Sequence, residues 1–166
     1  TLAEAGFRGF EITSSDRTER MLVLKAYSGA RAAYYLLDLE RRELTLLDAG
    51  LGAGEAAALD DTRAVALESR DGRPLRGYLT LPKGVPPRGL PMVLLVHGGP
   101  WNRDRYGFDP EVQFLANRGY AVLQINFRGS SGYGRAFMDA GAGEFAGRMQ
   151  DDLLADFCVA RVHHAG

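Results

Sequence analysis

Three stretches of this sequence carry residue types that could do chemistry. The first is His97-Gly98-Gly99-Pro100-Trp101, which follows the apolar run Met92-Val93-Leu94-Leu95-Val96. Glycine lets a backbone turn sharply and present its N–H groups at close range. Two glycines at the end of an apolar strand can therefore aim main-chain donors at an oxyanion that develops in acyl transfer. Losing one such donor costs about 3 kcal/mol of transition-state stabilisation. The same residues equally suit a tight strand-to-loop turn with a satisfied histidine, and on local residues both readings stand.

The second stretch is Asn126-Phe127-Arg128-Gly129-Ser130-Ser131-Gly132-Tyr133-Gly134. It matches neither Gly-x-Gly-x-x-Gly nor the lysine-containing phosphate loop, and it holds no Gly-x-Ser-x-Gly. A loop shaping a pocket rim is favoured over a nucleotide cradle, with Arg128 pairing to a carboxylate inside the domain. The third stretch is Gln150-Asp151-Asp152. Adjacent carboxylates suggest metal or acid–base work, yet acids in the first turn of a helix are favoured by its dipole, so both are expected to be solvated. Of the three histidines, His163 and His164 are neighbours near the end of the chain and read as surface residues. Cys158, the single cysteine, reads as a small apolar helix residue and excludes an internal disulfide.

A Ser–His–acid hydrolase needs an exposed nucleophile, a base and an orienting acid. With no nucleophile elbow and only His97, His163 and His164 available, no triad can be assembled from these residues. No metal site and no cofactor is expected.

The elements that must hold these stretches read as follows. Residues 7–48 are β structure, with strands at Arg20–Tyr27, Ala33–Leu39 and Glu43–Leu47 and a polar hairpin at Glu40-Arg41-Arg42. Such a meander suits a propeller blade or a sandwich edge and buries too little apolar surface to stand alone. Residues 49–61 are small and weakly periodic, so a linker with a boundary near Asp60 competes with a helical turn at Glu55–Leu59. Ala64–Ser69 and Leu75–Leu81 form a hairpin around Asp71-Gly72. Met92–Val96 lacks alternation, as expected of a strand buried on both faces of a parallel sheet. A helix over 110–118, with Val112, Leu115 and Phe114 inward, leads through Gly119 into a second buried strand, Tyr120–Phe127. Those elements make a βαβ unit. Met149, Leu153, Leu154 and Phe157 then share one face of a last helix.

At 166 residues the chain is one domain or parts of two. A hydrophobic content of 46% with 25% charged residues is normal for a globular protein. A net charge of −1 offers nothing to nucleic acid or an anionic membrane, and no apolar run is long enough to span a bilayer. From Thr1 no targeting leader is visible, and compartment stays open, with the cytoplasm slightly favoured.

Taken in order, these stretches have a resemblance. Ser69-Arg-Asp-Gly-Arg-Pro-Leu-Arg-Gly-Tyr-Leu-Thr-Leu-Pro82, Val93-Leu-Leu-Val-His-Gly-Gly-Pro-Trp101, Leu115 through Gly134, and Met149-Gln-Asp-Asp-Leu153 together resemble the prolyl oligopeptidase family of serine peptidases, in its acylaminoacyl-peptidase and dipeptidyl-peptidase-like branch. Residues 7–48 resemble, less specifically, the last blade of the propeller that precedes the hydrolase domain there. The resemblance implies an α/β fold: the N-terminal half of an α/β-hydrolase domain (61–166) preceded by the last blade of a β-propeller plus linker (1–60). It implies that Gly99 supplies an oxyanion-hole N–H, that His97 stands where other branches offer a tyrosine hydroxyl to the same oxyanion, and that Trp101 lines the pocket mouth. It also implies a nucleophile, acid and histidine beyond Gly166. The expected function is thus that of a fragment of a serine peptidase hydrolysing short peptides through an acyl-enzyme, inactive alone. The expected partners are peptide substrate and the remainder of the protein, or a second chain, completing the sheet, with homo-oligomers left open. A carboxylesterase-type hydrolase fragment and a non-catalytic interaction protein are the alternatives.

Overall fold

The computed structural model describes residues 1–50, 59, 62–99 and 101–154. Strands β1 (Gly9–Ser15), β2 (Met21–Tyr27), β3 (Ala32–Asp38) and β4 (Glu43–Asp48) form an antiparallel meander in sequence order. Ile12 faces Leu24, and Leu24 faces Tyr35, so the period of two gathers Ile12, Leu24 and Tyr35 with Phe10, Ala26 and Ala33 on one face. Phe7 packs there edge-on to Tyr35, with ring centroids 6.0 Å apart. The opposite face carries Glu11, Lys25 and Tyr34 in register. The sheet has one strand more than the three anticipated. In β1 only Phe10-Glu11-Ile12 alternates before the polar Thr13-Ser14-Ser15, which is too short a signal to read from sequence. The β1–β2 turn is held by Asp16, whose carboxylate accepts the backbone N–H groups of Arg20 and Met21 at 2.8 and 2.9 Å.

The second sheet runs β5 (Thr62–Glu68), β6 (Pro74–Thr80), β8 (Ala121–Asn126) and β7 (Met92–Leu95) in that spatial order. β5 and β6 are the anticipated hairpin, with Gly72 at φ +77° in its turn. β6 pairs antiparallel and β7 parallel to β8, and helix α1 (Pro110–Ala116) makes the crossover between the two parallel strands. Every residue of β8 is buried. Leu123 and Ile125 pack with Leu75, Phe127, Met149 and Leu153 on one side, and Val122 packs with Val112 and Ala116 of α1 on the other. Full burial of each such aliphatic side chain contributes about 1.5–3 kcal/mol. α1 starts where Asp109 accepts the N–H groups of Glu111 and Val112 at 2.9 and 3.2 Å, with Pro110 fixing the first turn. A five-residue helix α2 (Arg135–Asp139) and a helix α3, described over 148–154, follow β8.

Three expectations are corrected. The strand Met92–Leu95 is half-buried at the edge of the described sheet, and Val96 lies beyond it at 45% exposure, so the apolar run reflects a parallel strand covered less fully than β8. Phe114 points outward from α1 with the Arg118 guanidinium 3.5 Å over its ring. Its place inside is taken by Gln113, whose amide donates to the Gly29 carbonyl at 3.1 Å and ties α1 to the first sheet. Leu154 lies outside the core face of α3, which buries Asp152 between Met149 and Leu153 instead. The proposed linker residues 51–58, 60 and 61, together with Phe157, Cys158, His163 and His164, lie outside the described residues.

β6 approaches β8 so closely that a Cβ at Gly77 would stand 2.4 Å from the Gln124 carbonyl oxygen. Gly77→Ala must displace one backbone against the other, with an expected loss of about 1–3 kcal/mol in urea denaturation. An unchanged midpoint would contradict this packing.

Candidate active site

Because β7 and β8 are parallel, the loops that follow them leave the sheet at the same end, where open α/β sheets place their ligands. The two loops, 97–104 and 126–134, interlock residue by residue. His97 Nε2 lies 2.9 Å from the Ser130 hydroxyl, and the Ser131 N–H donates to the Asn102 carbonyl at 3.1 Å. The Arg103 side chain lies across Gly132, where a Cβ would come within 1.9 Å of its guanidinium. The buried Asn126 amide accepts the Asp104 N–H at 2.8 Å and donates to the Asp104 carbonyl at 3.2 Å and to the Tyr133 hydroxyl at 2.9 Å.

Within this frame His97 lies flat on Phe127, with centroids 4.5 Å apart and planes inclined by 12°. Its Nδ1 is 3.1 Å from the Gly98 carbonyl oxygen. A carbonyl can only accept, so Nδ1 carries the proton; in the neutral ring Nε2 is then the acceptor and Ser130 donates to it. Both ring nitrogens are engaged inside the protein. Gly99 is exposed and sits at φ +116°, a conformation open to glycine, and a Cβ there would press on Asn102 at 3.1–3.2 Å. Among the described residues nothing accepts its N–H. Trp101, 61% exposed, stands on the outer side of the same loop.

Behind the loops lies a buried ion pair. Arg128 is 2% exposed and Asp152 is fully buried. The guanidinium donates Nε and Nη2 to the two Asp152 oxygens at 2.8 and 2.6 Å, and the Arg128 backbone N–H adds a third bond at 3.0 Å. Its other edge donates to both oxygens of Asp71 at 3.0 and 2.8 Å. Ser69 also hydrogen-bonds Asp71. These bonds, Arg128 first, hold the Asp71 carboxyl well below the usual carboxylate range, and Asp152 followed by Asp71 raises the Arg128 guanidinium further above its ordinary value. The expected pairing of Arg128 with an internal carboxylate is present. The expected solvation of both aspartates holds only for Asp151, which meets Arg70 at 3.3 Å on the surface; Asp152 faces inward because its partner does.

Sequence reasoning brought out His97, Gly99, Trp101, Arg128 and the 126–134 loop as a pocket rim, but gave Asn126, Phe127 and Ser130 no role of their own and passed over Asp104. Burial pushes the Asp104 carboxyl upward, opposed by a hydrogen bond from Gln124 at 3.1 Å. Asp104 also lines a cavity of about 250 Å³ with Gln124, Arg103 and, from the first sheet, Glu11, Lys25 and Tyr27. A sequence signal existed for Asn126, a polar residue closing a largely apolar strand. None existed for Asp104.

Fold and site define a class: an α/β sheet with a glycine-rich loop after one parallel strand and an interlocking loop after the next. Residues 106–161 match the model of the prolyl oligopeptidase family. The chain is 48% identical over 138 residues to dipeptidyl aminopeptidase BIII of Pseudoxanthomonas mexicana, covering 78% of this chain and 20% of that protein. A puromycin-hydrolyzing peptidase of Mycobacterium tuberculosis superposes with a TM-score of 0.77 at 25% identity, over 96% of this chain and 25% of that one. An acylaminoacyl peptidase of Pyrococcus horikoshii does so with a TM-score of 0.70 at 25% identity and the same coverage. The chain is thus similar to peptidases of the prolyl oligopeptidase family, whose model matches it over residues 106–161. It spans about a fifth to a quarter of the length of these relatives.

Removing one partner of a buried pair strands the other charge, at a cost of about 3–5 kcal/mol. Asp152→Ala is expected to fall in that range by chemical denaturation, and Asp71→Asn, whose carboxylate is partly exposed, well below it. The folded-state pKa of Asp71 is depressed, so its contribution is complete above its unfolded pKa of about 4 and is lost as pH falls below that value. Asp71→Asn should therefore flatten stability against pH in the acid limb while leaving the slope above pH about 5 unchanged. Equal acid limbs would disprove the assignment.

Proposed function

We propose that this chain is the stretch of a longer serine peptidase that joins the last blade of its propeller (1–60) to the first half of its α/β-hydrolase domain (61–166). Its contribution to hydrolysis of short peptides is half of the oxyanion hole, with the Gly99 N–H as donor to the tetrahedral intermediate. The observation that carries this reading is the state of Gly99: at the end of a parallel strand, exposed, in a glycine-only conformation, with a donor that no described residue uses. Trp101, exposed beside it, would border the pocket. The four-stranded meander β1–β4 is the blade, its apolar face exposing Phe10 and Ile12 to a neighbour. The peptidase names of the relatives support a peptide substrate. Ser130 is fully buried and so is no candidate nucleophile; nucleophile, acid and base come from other parts of the enzyme, and this chain alone is inactive.

The test uses the full-length protein. It should release p-nitroaniline from aminoacyl and dipeptidyl anilides and lose that activity to a serine-directed fluorophosphonate. Gly99→Ala, strained at its positive φ and crowded by Asn102, should lower kcat about 100-fold or more by shifting the donor. Hydrolysis confined to short acyl esters would replace the peptidase reading with an esterase; full activity in Gly99→Ala would remove Gly99 from the oxyanion hole.

A further inference from the structure

Arg103 sits partly buried between the two loops with its guanidinium packed on Gly132, where a Cβ would stand 1.9 Å from Nη1, 2.7 Å from Cζ and 3.2 Å from Cδ. A guanidinium carries a fixed charge and five N–H donors. Withdrawing it even partly from water is unfavourable unless an acceptor is supplied. Among the described residues Arg103 makes no ion pair and no side-chain hydrogen bond. The carboxylates that share its cavity are engaged elsewhere. Glu11 faces Lys25 at 3.7 Å, Asp109 caps α1, and Asp104 Oδ1 accepts from Gln124 at 3.1 Å. Asp104 Oδ2 has no partner, but it is closed off from solvent and no ion pair joins it to Arg103. Arg128 on the opposite loop makes the contrast, since carboxylates fill both of its edges.

This unmatched charge belongs to the candidate site. The loop doubles back after Gly99, so that a Cβ at Gly99 would stand 3.1 Å from the Asn102 nitrogen and 3.2 Å from its Cβ, and Arg103 is the next residue. An extended peptide advances about 3.3 Å per residue, so groups a few residues from a carbonyl bound at Gly99 come within range of the Arg103 side chain. An unmodified peptide carries anions in two forms, acidic side chains and the terminal carboxylate, and the planar fork of arginine matches a carboxylate along its edge. We propose that Arg103 is a specificity-determining residue that holds a carboxylate of the peptide substrate, from an acidic side chain or from the free C-terminus, close to the scissile bond. This rests on the reading of Gly99 given above. A residue that only braced the loops by packing on Gly132 would be indifferent to substrate charge.

The full-length protein is tested on two matched pairs, Asp-Ala-p-nitroanilide against Asn-Ala-p-nitroanilide and Ala-Ala-Ala against its C-terminal amide. Wild type should favour the carboxylate member of at least one pair by about tenfold or more in kcat/KM, as for a hydrogen-bonded charge pair. Preference in the first pair marks a side chain as the source, and preference in the second marks the chain end. Arg103→Met keeps an unbranched stem against Gly132 and removes the charge. It should bring that ratio to about one, and Arg103→Lys, a point charge without the fork, should recover part of it. No preference in either pair, or a ratio that survives Arg103→Met, would overturn the proposal. A wild type that cleaves none of the four compounds would defeat the proposed function instead. Calorimetric titration with the same pairs would then decide the role of Arg103. A carboxylate member bound about tenfold more tightly by wild type, with the difference lost in Arg103→Met, supports it; equal affinities in wild type, or a difference kept by the variant, overturn it.

Discussion

Arg128 is the interaction on which the rest of the site depends. Its guanidinium is gripped on two edges by carboxylates from opposite ends of the described domain sequence, Asp71 in the β5–β6 hairpin and Asp152 on α3. Burying this charge is costly, and a well-packed apolar cluster could match its stability. What an apolar cluster could not supply is direction. The planar fork accepts carboxylates only along its edges, and the backbone N–H of Arg128 shares Asp152, so the turn that begins at Phe127 has one orientation relative to hairpin and helix.

From that turn the constraint passes outward by contacts between named groups. Phe127 supplies the plane on which the His97 ring stacks, and the Ser130 hydroxyl lies within hydrogen-bond distance of its Nε2. Asn126, one residue earlier, clamps the backbone of Asp104 at the far end of the same loop. The donor loop is therefore pinned at both ends by the loop after β8, while its middle, Gly98 and Gly99, stays exposed. The parallel pairing of β7 with β8 makes this possible, since antiparallel neighbours would send the two loops to opposite ends of the sheet.

The fold was largely legible because its signals are local. Asp71-Gly72 marks a hairpin, the largely apolar run at 121–125 a buried strand, and Gly119 a helix end, and each is a short-range consequence of backbone preference. The errors arise where tertiary partners overrule local pattern. Phe114 is turned out because its helix buries Gln113 against a carbonyl of the other sheet, and Asp152 is turned in because Arg128 waits there. A helix dipole explains an acid near an N-terminus but cannot say which of two adjacent acids is buried; that depends on a residue 24 positions away. In the candidate site, the paired glycines pointed to the loop after β7, since positive φ and close approach leave a sequence trace. The tether from His97 to Gly98 and the hydroxyl behind it leave none, because serine next to glycine is common in loops of every kind.

The proposed oxyanion role sets a requirement on the loop after β7. Electrostatic stabilisation of an oxyanion depends on dipoles that are already oriented before charge develops, so that no reorganisation is needed during the reaction. Backbone N–H groups meet that requirement only when the peptide carrying them cannot rotate. A Gly–Gly peptide rotates more freely than any other, and at its second position glycine is needed for the φ of +116° and the nearness of Asn102. Conformational freedom needed to reach the geometry must then be withdrawn by neighbours. Histidine suits that task because one flat ring can pack on Phe127, accept from Ser130 and donate to the carbonyl beside it. The buried ion pair, the stacked ring and the hydroxyl thus oppose a single degree of freedom, rotation of the peptide that bears the Gly99 N–H.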